Sequence, residues 1–372
     1  MHHTRGVAAL RPVPVAQALG YQLARPVRDQ RGRVLLAEGV VLTERTLHAL
    51  RSRGYRSIYV VNPLAPDVMV DDAIQDETRI HAERTVRDAL RRTSEGSPID
   101  SKAVTSAVDA IVNDLHGNPD VVFSLATLRS VDDHTFVHCV NVCVYCLILA
   151  RGLGLDRGDL RRLGAGAILH DIGKVRYRDL VDRHGPLTPE EFELVKRHTT
   201  DGYEMLRRQP GIDLLSAHVA LQHHERLDGS GYPRGLMGDG ILLFARLAAI
   251  ADVYDAMTAD RPYRSASPPH EAMAAIHGMA GQQLDEQLVR HFTRKMAIYP
   301  SGTIVRLADG RLAIIVGQTE GGPGWPRVRV VADEKMRLVT AYELNTAPDS
   351  QVVAVLADLP RTVRSQMSRH AV

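Results

Sequence analysis

Aromatic side chains are scarce in this chain of 372 residues: Phe, Trp and Tyr together make up 5%, with a single Trp. Leu, Val, Ile and Ala must therefore fill the interior, and a hydrophobic share of 44% is enough for a sizeable core. Cysteine is rarer still. The three cysteines fall at 139, 143 and 146, a helical spacing that puts them along one stripe. An odd number of thiols a turn apart staples nothing distant, so reduced, buried thiols in a cytosolic protein are expected, with thiolate metal ligands as the alternative. Excess charge of one sign is also missing: 46 basic residues against 44 acidic give a net +2, which excludes a protein that coats DNA but leaves room for a local basic pocket. No apolar run reaches the roughly 18 residues of a membrane span. The start, Met1-His2-His3-Thr4-Arg5, has no apolar signal core. The expectation is a cytoplasmic protein that engages neither membrane nor DNA.

The length implies two or three domains. Residues 10–62 read as a β-rich unit. Two strands flank a polar turn within 27–36, a short helix follows Thr43 as N-cap with Leu47 and Leu50 inward, Gly54 ends it, and 56–61 form another strand. Residues 71–116 read as two helices around the loop 93–98, either packing a dimer or docking on their own core. From 121 to 297 helix follows helix, and Thr188-Pro189-Glu190-Glu191 is a strong helix start. A hairpin is expected from 303–307 and 312–316 around Ala308-Asp309-Gly310, with a further strand at 327–331. The domains are placed at 1–70 (small, β-rich, with a regulatory role left open), 71–120 (helical connector), 121–300 (catalytic), 301–346 (small, β-rich) and 347–372 (tail). The fold class is mainly α, an all-helical central domain with a small β-rich N-terminal domain and a short C-terminal β-hairpin region.

The histidines and aspartates of the helical region carry the chemistry. They are His138, His170, Asp171, His198, His223, His224 and Asp252. Imidazoles and carboxylates suit iron, manganese or zinc better than a thiolate-selected metal. Neighbouring side chains on a helix point about 100° apart, so each adjacent pair can converge only at a helix end. Gly173, Gly229 and Gly231 put such breaks close by. Seven ligands exceed the needs of one ion; two ions sharing a carboxylate would use them all, and two-metal sites serve phosphoester hydrolysis.

His170-Asp171-Ile172-Gly173-Lys174 resembles the signature of the HD phosphohydrolase superfamily. His223-His224-Glu225-Arg226-Leu227-Asp228-Gly229-Ser230-Gly231-Tyr232-Pro233 resembles the extended motif of the HD-GYP family, and Ile250 to Thr258 followed by Asp260-Arg261-Pro262-Tyr263-Arg264 completes it. The resemblance covers about 121–297. It implies an all-helical, metal-dependent phosphodiesterase of bacterial second-messenger signalling that hydrolyses cyclic di-GMP to pGpG, in some members onward to GMP, by a hydroxide bridging two metals. It implies that His138, His170, Asp171, His198, His223, His224 and Asp252 hold two divalent ions, iron or manganese first and zinc, nickel or magnesium as alternatives, with Asp171 bridging. Lys174 would stabilise the scissile phosphate, making Asp171 and Lys174 the catalytic pair. Gly231, Tyr232 and Pro233 would shape the loop beside the substrate, and Arg261 and Arg264 would contact its phosphate or guanine. Where some members carry a Glu that supports a third metal, this chain has His134, so two ions are expected rather than three. Arg176-Tyr177 replaces the family's usual Ile-Pro pair, which bears on local packing. The alternatives are a non-catalytic adaptor that binds a cyclic dinucleotide or a protein, and a hydrolase of another phosphoester. A homodimer and signalling protein partners are left open.

Overall fold

The computed structural model describes residues 7–8, 10–29, 33–55, 57–62, 64–70, 72–117, 134–183, 185–259, 266–319, 322–356 and 358–370. The chain divides into two compact units, one of residues 1–72, 122–130 and 296–372, the other of 73–121 and 131–295. The expected class is borne out: a helical middle with β-structure at both ends.

In the first unit, β1 (Val7–Ala8), β2 (Leu10–Pro14), β3 (Val27–Arg28), β4 (Val34–Leu36), β5 (Ser57–Val61) and β6 (Met69–Val70) pair antiparallel as β1 with β6, β2 with β5 and β3 with β4. Helix α1 (Glu44–Arg51) starts at Thr43, whose hydroxyl accepts from the Thr46 amide while the Thr46 hydroxyl accepts from the Thr43 amide. Leu47 and Leu50 then enter a core with Leu23, Leu42, Ile58 and Val60. The C-terminal part is larger than the hairpin expected. Strands β7 (Ile304–Leu307), β8 (Leu312–Thr319), β9 (Gly322–Ala332), β10 (Leu338–Asn345) and β11 (Val352–Leu356) form one antiparallel sheet in the order β10-β9-β8-β7-β11. The chain after 347, expected as a tail, thus supplies an edge strand and a closing helix, Arg361–His370. Both faces of this sheet are apolar: Ile304, Leu312 and Ile314 lie in one cluster, Val305, Ala313 and Ile315 in another. Ala65 and Val68 join the first cluster and Asp67 pairs with Arg329 at 2.6 Å, so the end of the N-terminal module and the sheet share one core.

The second unit holds α2 (Asp76–Ser94), α3 (Ser101–Gly117), α4 (His134–Gly152), α5 (Arg157–Ile168), α6 (Arg178–Val181), α7 (Pro189–Lys196), α8 (His198–Leu206), α9 (Leu214–Gln222), α10 (Leu243–Thr258), α11 (Pro269–Met279) and α12 (Glu286–Lys295). Helix α3 docks on its own core: Val104, Val108, Ile111, Val112 and Leu115 are buried, and Asp109 receives a two-pronged contact from Arg161 of α5 at 2.8 and 2.9 Å. Helix α4 is the axis, packed against α5 and α10. By length and composition its Thr135–Gly152 stretch could cross a membrane, which corrects the expectation that no run is long and apolar enough; 78% of that stretch is buried inside the fold. Cys139, Cys143 and Cys146 are free and buried on this helix, and Cys143 donates its S–H to the Gly164 carbonyl at 3.5 Å.

Candidate metal centre

Five segments deliver the seven candidate ligands. His138 lies in the second turn of α4, His198 opens α8 and Asp252 lies within α10. Each adjacent pair sits where a helix stops. Helix α5 ends at Ile168, so His170 and Asp171 fall on the turn into the 3-10 segment Ile172–Tyr177. Helix α9 ends at Gln222, so His223 caps it and His224 follows in the turn. The 3-10 segment lies so close to α8 that a Cβ at Gly173 would come within 2.0 Å of the His198 carbonyl oxygen. Only glycine permits that approach, and it carries Asp171 up to His198.

Six of the seven side chains are buried and His224 is half-buried. Asp171 stands between two sets. Its Oδ1 lies 3.4 Å from His198 Nε2 and 3.8 Å from His223 Nε2. Its Oδ2 lies 3.3 Å from His170 Nε2, 3.6 Å from His138 Nε2 and 2.5 Å from Lys174 Nζ. Ligand atoms of His198, His223 and His224 lie within 4.8 Å of one another, as do those of His138, His170 and Asp252, and those of His170, Asp171 and His223. The sequence-predicted set is therefore brought together in one place.

The outer contacts fix which nitrogen faces inward. His170 Nδ1 donates to the Ala167 carbonyl at 2.8 Å, His198 Nδ1 to Val195 at 2.7 Å and His223 Nδ1 to Ala220 at 2.9 Å. His138 Nδ1 donates instead to Asp255 Oδ2 at 2.7 Å. The Nε2 of His170, His198 and His223 is thereby left with its lone pair turned inward, as metal-ligating histidines require, while His138 Nε2 faces Asp252 Oδ1 at 3.3 Å. Such an arrangement is unfavourable by itself. His198 Nε2 and His223 Nε2 face each other at 3.4 Å, and His170 Nε2 and Asp171 Oδ1 are buried without a hydrogen-bond partner. Divalent cations would satisfy all of these atoms, so the donor set fits metal ions.

Charge is arranged to match. Burial holds His198 down to about 4, with the Lys174 ammonium adding to it. Burial, and for His223 the neighbouring His224 ring, keeps His223 and His224 well below the usual histidine range. Burial works against ionising Asp171 and Asp252, yet His170 and Lys174 for the first, and His138 and His224 for the second, hold both well below the usual carboxylate range. His138 is the exception: against the effect of burial, Asp252 and Asp255 raise it to about 9. Burial also opposes the Lys174 charge, but Asp171 beside it outweighs that and keeps the ammonium.

Tyr232 of the Gly231-Tyr232-Pro233 loop stacks on the His224 ring at 4.7 Å and 29°. A Cβ at Gly231 would lie 2.4 Å from the Arg226 amide nitrogen, so this loop folds back tightly on the residues behind His224. Arg261 and Arg264 lie outside the described residues, and His134 begins α4 with its side chain outside the description. The Arg176-Tyr177 departure is accommodated by Asp201 of α8, which accepts from the Arg176 guanidinium at 2.6 Å and from the Tyr177 hydroxyl. Sequence reasoning missed Asp255, Asn141 and the role of Glu225. Asp255 lies one turn after Asp252 and Asn141 one turn after His138, so helical spacing could have found both. Glu225, buried, accepts from the amides of Arg234 and Leu236 at 2.8 and 2.9 Å and so clamps the loop that follows Tyr232. None of the three cysteines joins a metal-capable group among the described residues.

Residues 124–288 match the family described as the HD domain. A cyclic di-GMP phosphodiesterase of Pseudomonas aeruginosa is 38% identical over 250 residues, covering 67% of this chain and 60% of that protein. A cyclic di-GMP phosphodiesterase of Thermotoga maritima is 40% identical over 177 residues, covering 47% of this chain and 48% of that protein. A 3'3'-cGAMP-specific phosphodiesterase of Vibrio cholerae is 34% identical over 168 residues, covering 45% of this chain and 36% of that protein. The matched region thus spans between 36% and 60% of these relatives' lengths.

Proposed function

We propose that this chain, which carries an HD domain over residues 124–288, is a metal-dependent phosphodiesterase that hydrolyses cyclic di-GMP. The observation that carries the reading is the position of Asp171, with one oxygen facing each of two metal-capable sets. In this reading His138, His170 and Asp252 would hold one ion, His198, His223 and His224 would hold the other, and Asp171 would be a ligand common to both. Iron or manganese suits this mixture of imidazole and carboxylate. Two such ions, when bound, supply Lewis acidity toward phosphate oxygens and lower the pKa of water.

The chain's own groups do the rest. The Lys174 ammonium, partly exposed beside Asp171, donates to a phosphate oxygen arriving at the cluster and neutralises charge as it develops there. Tyr232 walls the site on the His224 side. Burial holds its phenol above the ordinary tyrosine value, so it stays neutral and can donate a hydrogen bond without repelling phosphate. Arg261 and Arg264, as the motif suggests, would hold phosphate or guanine through their planar forks.

The test is turnover by protein purified anaerobically and loaded with iron or manganese. Linear pGpG, or GMP, should appear from cyclic di-GMP and vanish with Asp171→Ala. Tight nucleotide binding with no product from verified metal-loaded protein would turn the assignment toward an adaptor. The similarity to a 3'3'-cGAMP-specific enzyme favours one second reading, in which a mixed cyclic dinucleotide is preferred. Rates on the two substrates side by side separate them.

A further inference from the structure

Three of the imidazoles are anchored on backbone carbonyls, but His138 is anchored on a chain of side chains. Asp255 Oδ2 accepts from His138 Nδ1 at 2.7 Å. Asp255 Oδ1 accepts from Asn141 Nδ2 at 2.8 Å. Asn141 Oδ1 accepts from Arg79 Nη1 at 3.2 Å. All of these groups are buried: Arg79 is 7% exposed, Asn141 2% and Asp255 1%. Arg79 lies on α2, outside the matched segment 124–288.

We propose that Arg79 is a positioning residue for the metal centre, setting the Asn141 amide and through it the Asp255 carboxylate that orients His138. This rests on the reading of His138 as a metal ligand. A guanidinium can only donate, so Asn141 must turn its oxygen to Arg79 and its nitrogen to Asp255. A flipped amide would set donor against donor at one end and acceptor against acceptor at the other. With the amide fixed, one Asp255 oxygen is occupied and the other is held for the His138 N–H. The direction of every bond in the chain follows from its first member.

Stability alone does not account for Arg79. Its Nε and Nη2 are buried with no hydrogen-bond partner, and its Nη1 is bonded to the neutral Asn141 amide. A buried cation so poorly satisfied is costly, and an apolar side chain of similar length would pack at less cost. What it supplies is a fixed donor and a positive charge behind Asp255, in a site where Asp171, Asp252 and Asp255 gather three carboxylates around His138.

Metal-free protein titrated with Mn2+ by calorimetry tests this without reference to turnover. Wild type should bind two ions. Arg79→Met should bind one of them about 10–100-fold more weakly, the usual loss on removing an outer-shell partner. Arg79→Lys still offers Asn141 a donor and should recover most of the affinity. If Arg79→Met does not fold, the double variant Arg79→Met/Asn141→Leu, which leaves no orphaned amide, should fold and show the same loss. Folded Arg79→Met, or the folded double variant, binding both ions as tightly as wild type overturns the proposal. So does Arg79→Lys that binds no better than Arg79→Met. A wild-type protein that binds two ions, weakens with Arg79→Met and turns over no cyclic dinucleotide would sink the hydrolase reading and leave this one standing.

Discussion

The two halves of the metal centre are built differently. The half formed by His198, His223 and His224 is all imidazole, and two of its rings are held by carbonyls three residues back along the chain, Val195 at the end of α7 and Ala220 in α9. The half formed by His138, His170 and Asp252 includes a carboxylate and depends, at His138, on Asp255, Asn141 and Arg79 from three separate helices. The first half is local and comes with the helix ends. The second is assembled by tertiary packing and is open to disruption from α2. Asp171 joins them.

Removing the joint should have the largest effect. Asp171→Ala takes a ligand from both halves, and losing several kcal/mol of transition-state stabilisation corresponds to a fall in turnover of about a thousand-fold or more, read in a steady-state assay. Lys174→Met leaves both halves their ligands. Turnover should fall about a hundred-fold while bound metal, measured by elemental analysis, stays at the wild-type level. Loss of metal with Lys174→Met would show that the lysine serves the site's structure instead.

Proton competition distinguishes the halves next. His138, held up to about 9, is protonated in the metal-free protein at neutral pH, and a metal must displace that proton. Affinity at its half should fall by up to about tenfold per unit as pH drops from 9 toward 7. His198, at about 4, and His223 and His224, also lowered, are unprotonated across that range, so the imidazole half should be flat. Two calorimetric isotherms with the same pH slope would contradict the contrast. For the metal-free fold the sign follows from the raised His138 value: its contribution to stability is complete below the ordinary value of 6.5 and is lost as pH rises through about 9. The smallest effect lies at the start of α7, which leads into α8 and His198. Thr188 accepts from the Glu191 amide at 3.2 Å and Glu191 accepts from the Thr188 amide at 2.8 Å. Thr188→Ala should cost about 1 kcal/mol in denaturant unfolding and leave metal affinity unchanged.

How much of this was legible depended on whether the signal was local. The helix starts at Thr43 and Thr188 were readable because a cap acts within one turn. The ligand set was readable because the His170-Asp171 and His223-His224 pairs lie in an ordered motif that resembles a known family and stand where a helix stops. The last strands were not. Residues 352–356 form an apolar run with no alternation to mark an inner and an outer face, Val353 being exposed at this edge, and nothing nearby says that the strand returns to pair with β7. Helix α4 shows why an uninterrupted apolar run is a poor measure: His138 and Asn141 break the run and hydrogen-bond to Asp255, while 78% of the Thr135–Gly152 stretch is buried inside the fold. Arg79 could not be read at all: a lone arginine in a charged helix gives no sign that it is buried 62 residues from its partner.

The central claim is that seven side chains hold two cations, and counting metal tests it most directly. Elemental analysis of anaerobically purified protein should find two divalent ions per chain in wild type and a clear loss with Asp171→Ala. A wild-type protein that cannot be loaded beyond one ion, or an Asp171→Ala variant that keeps two, would contradict the account.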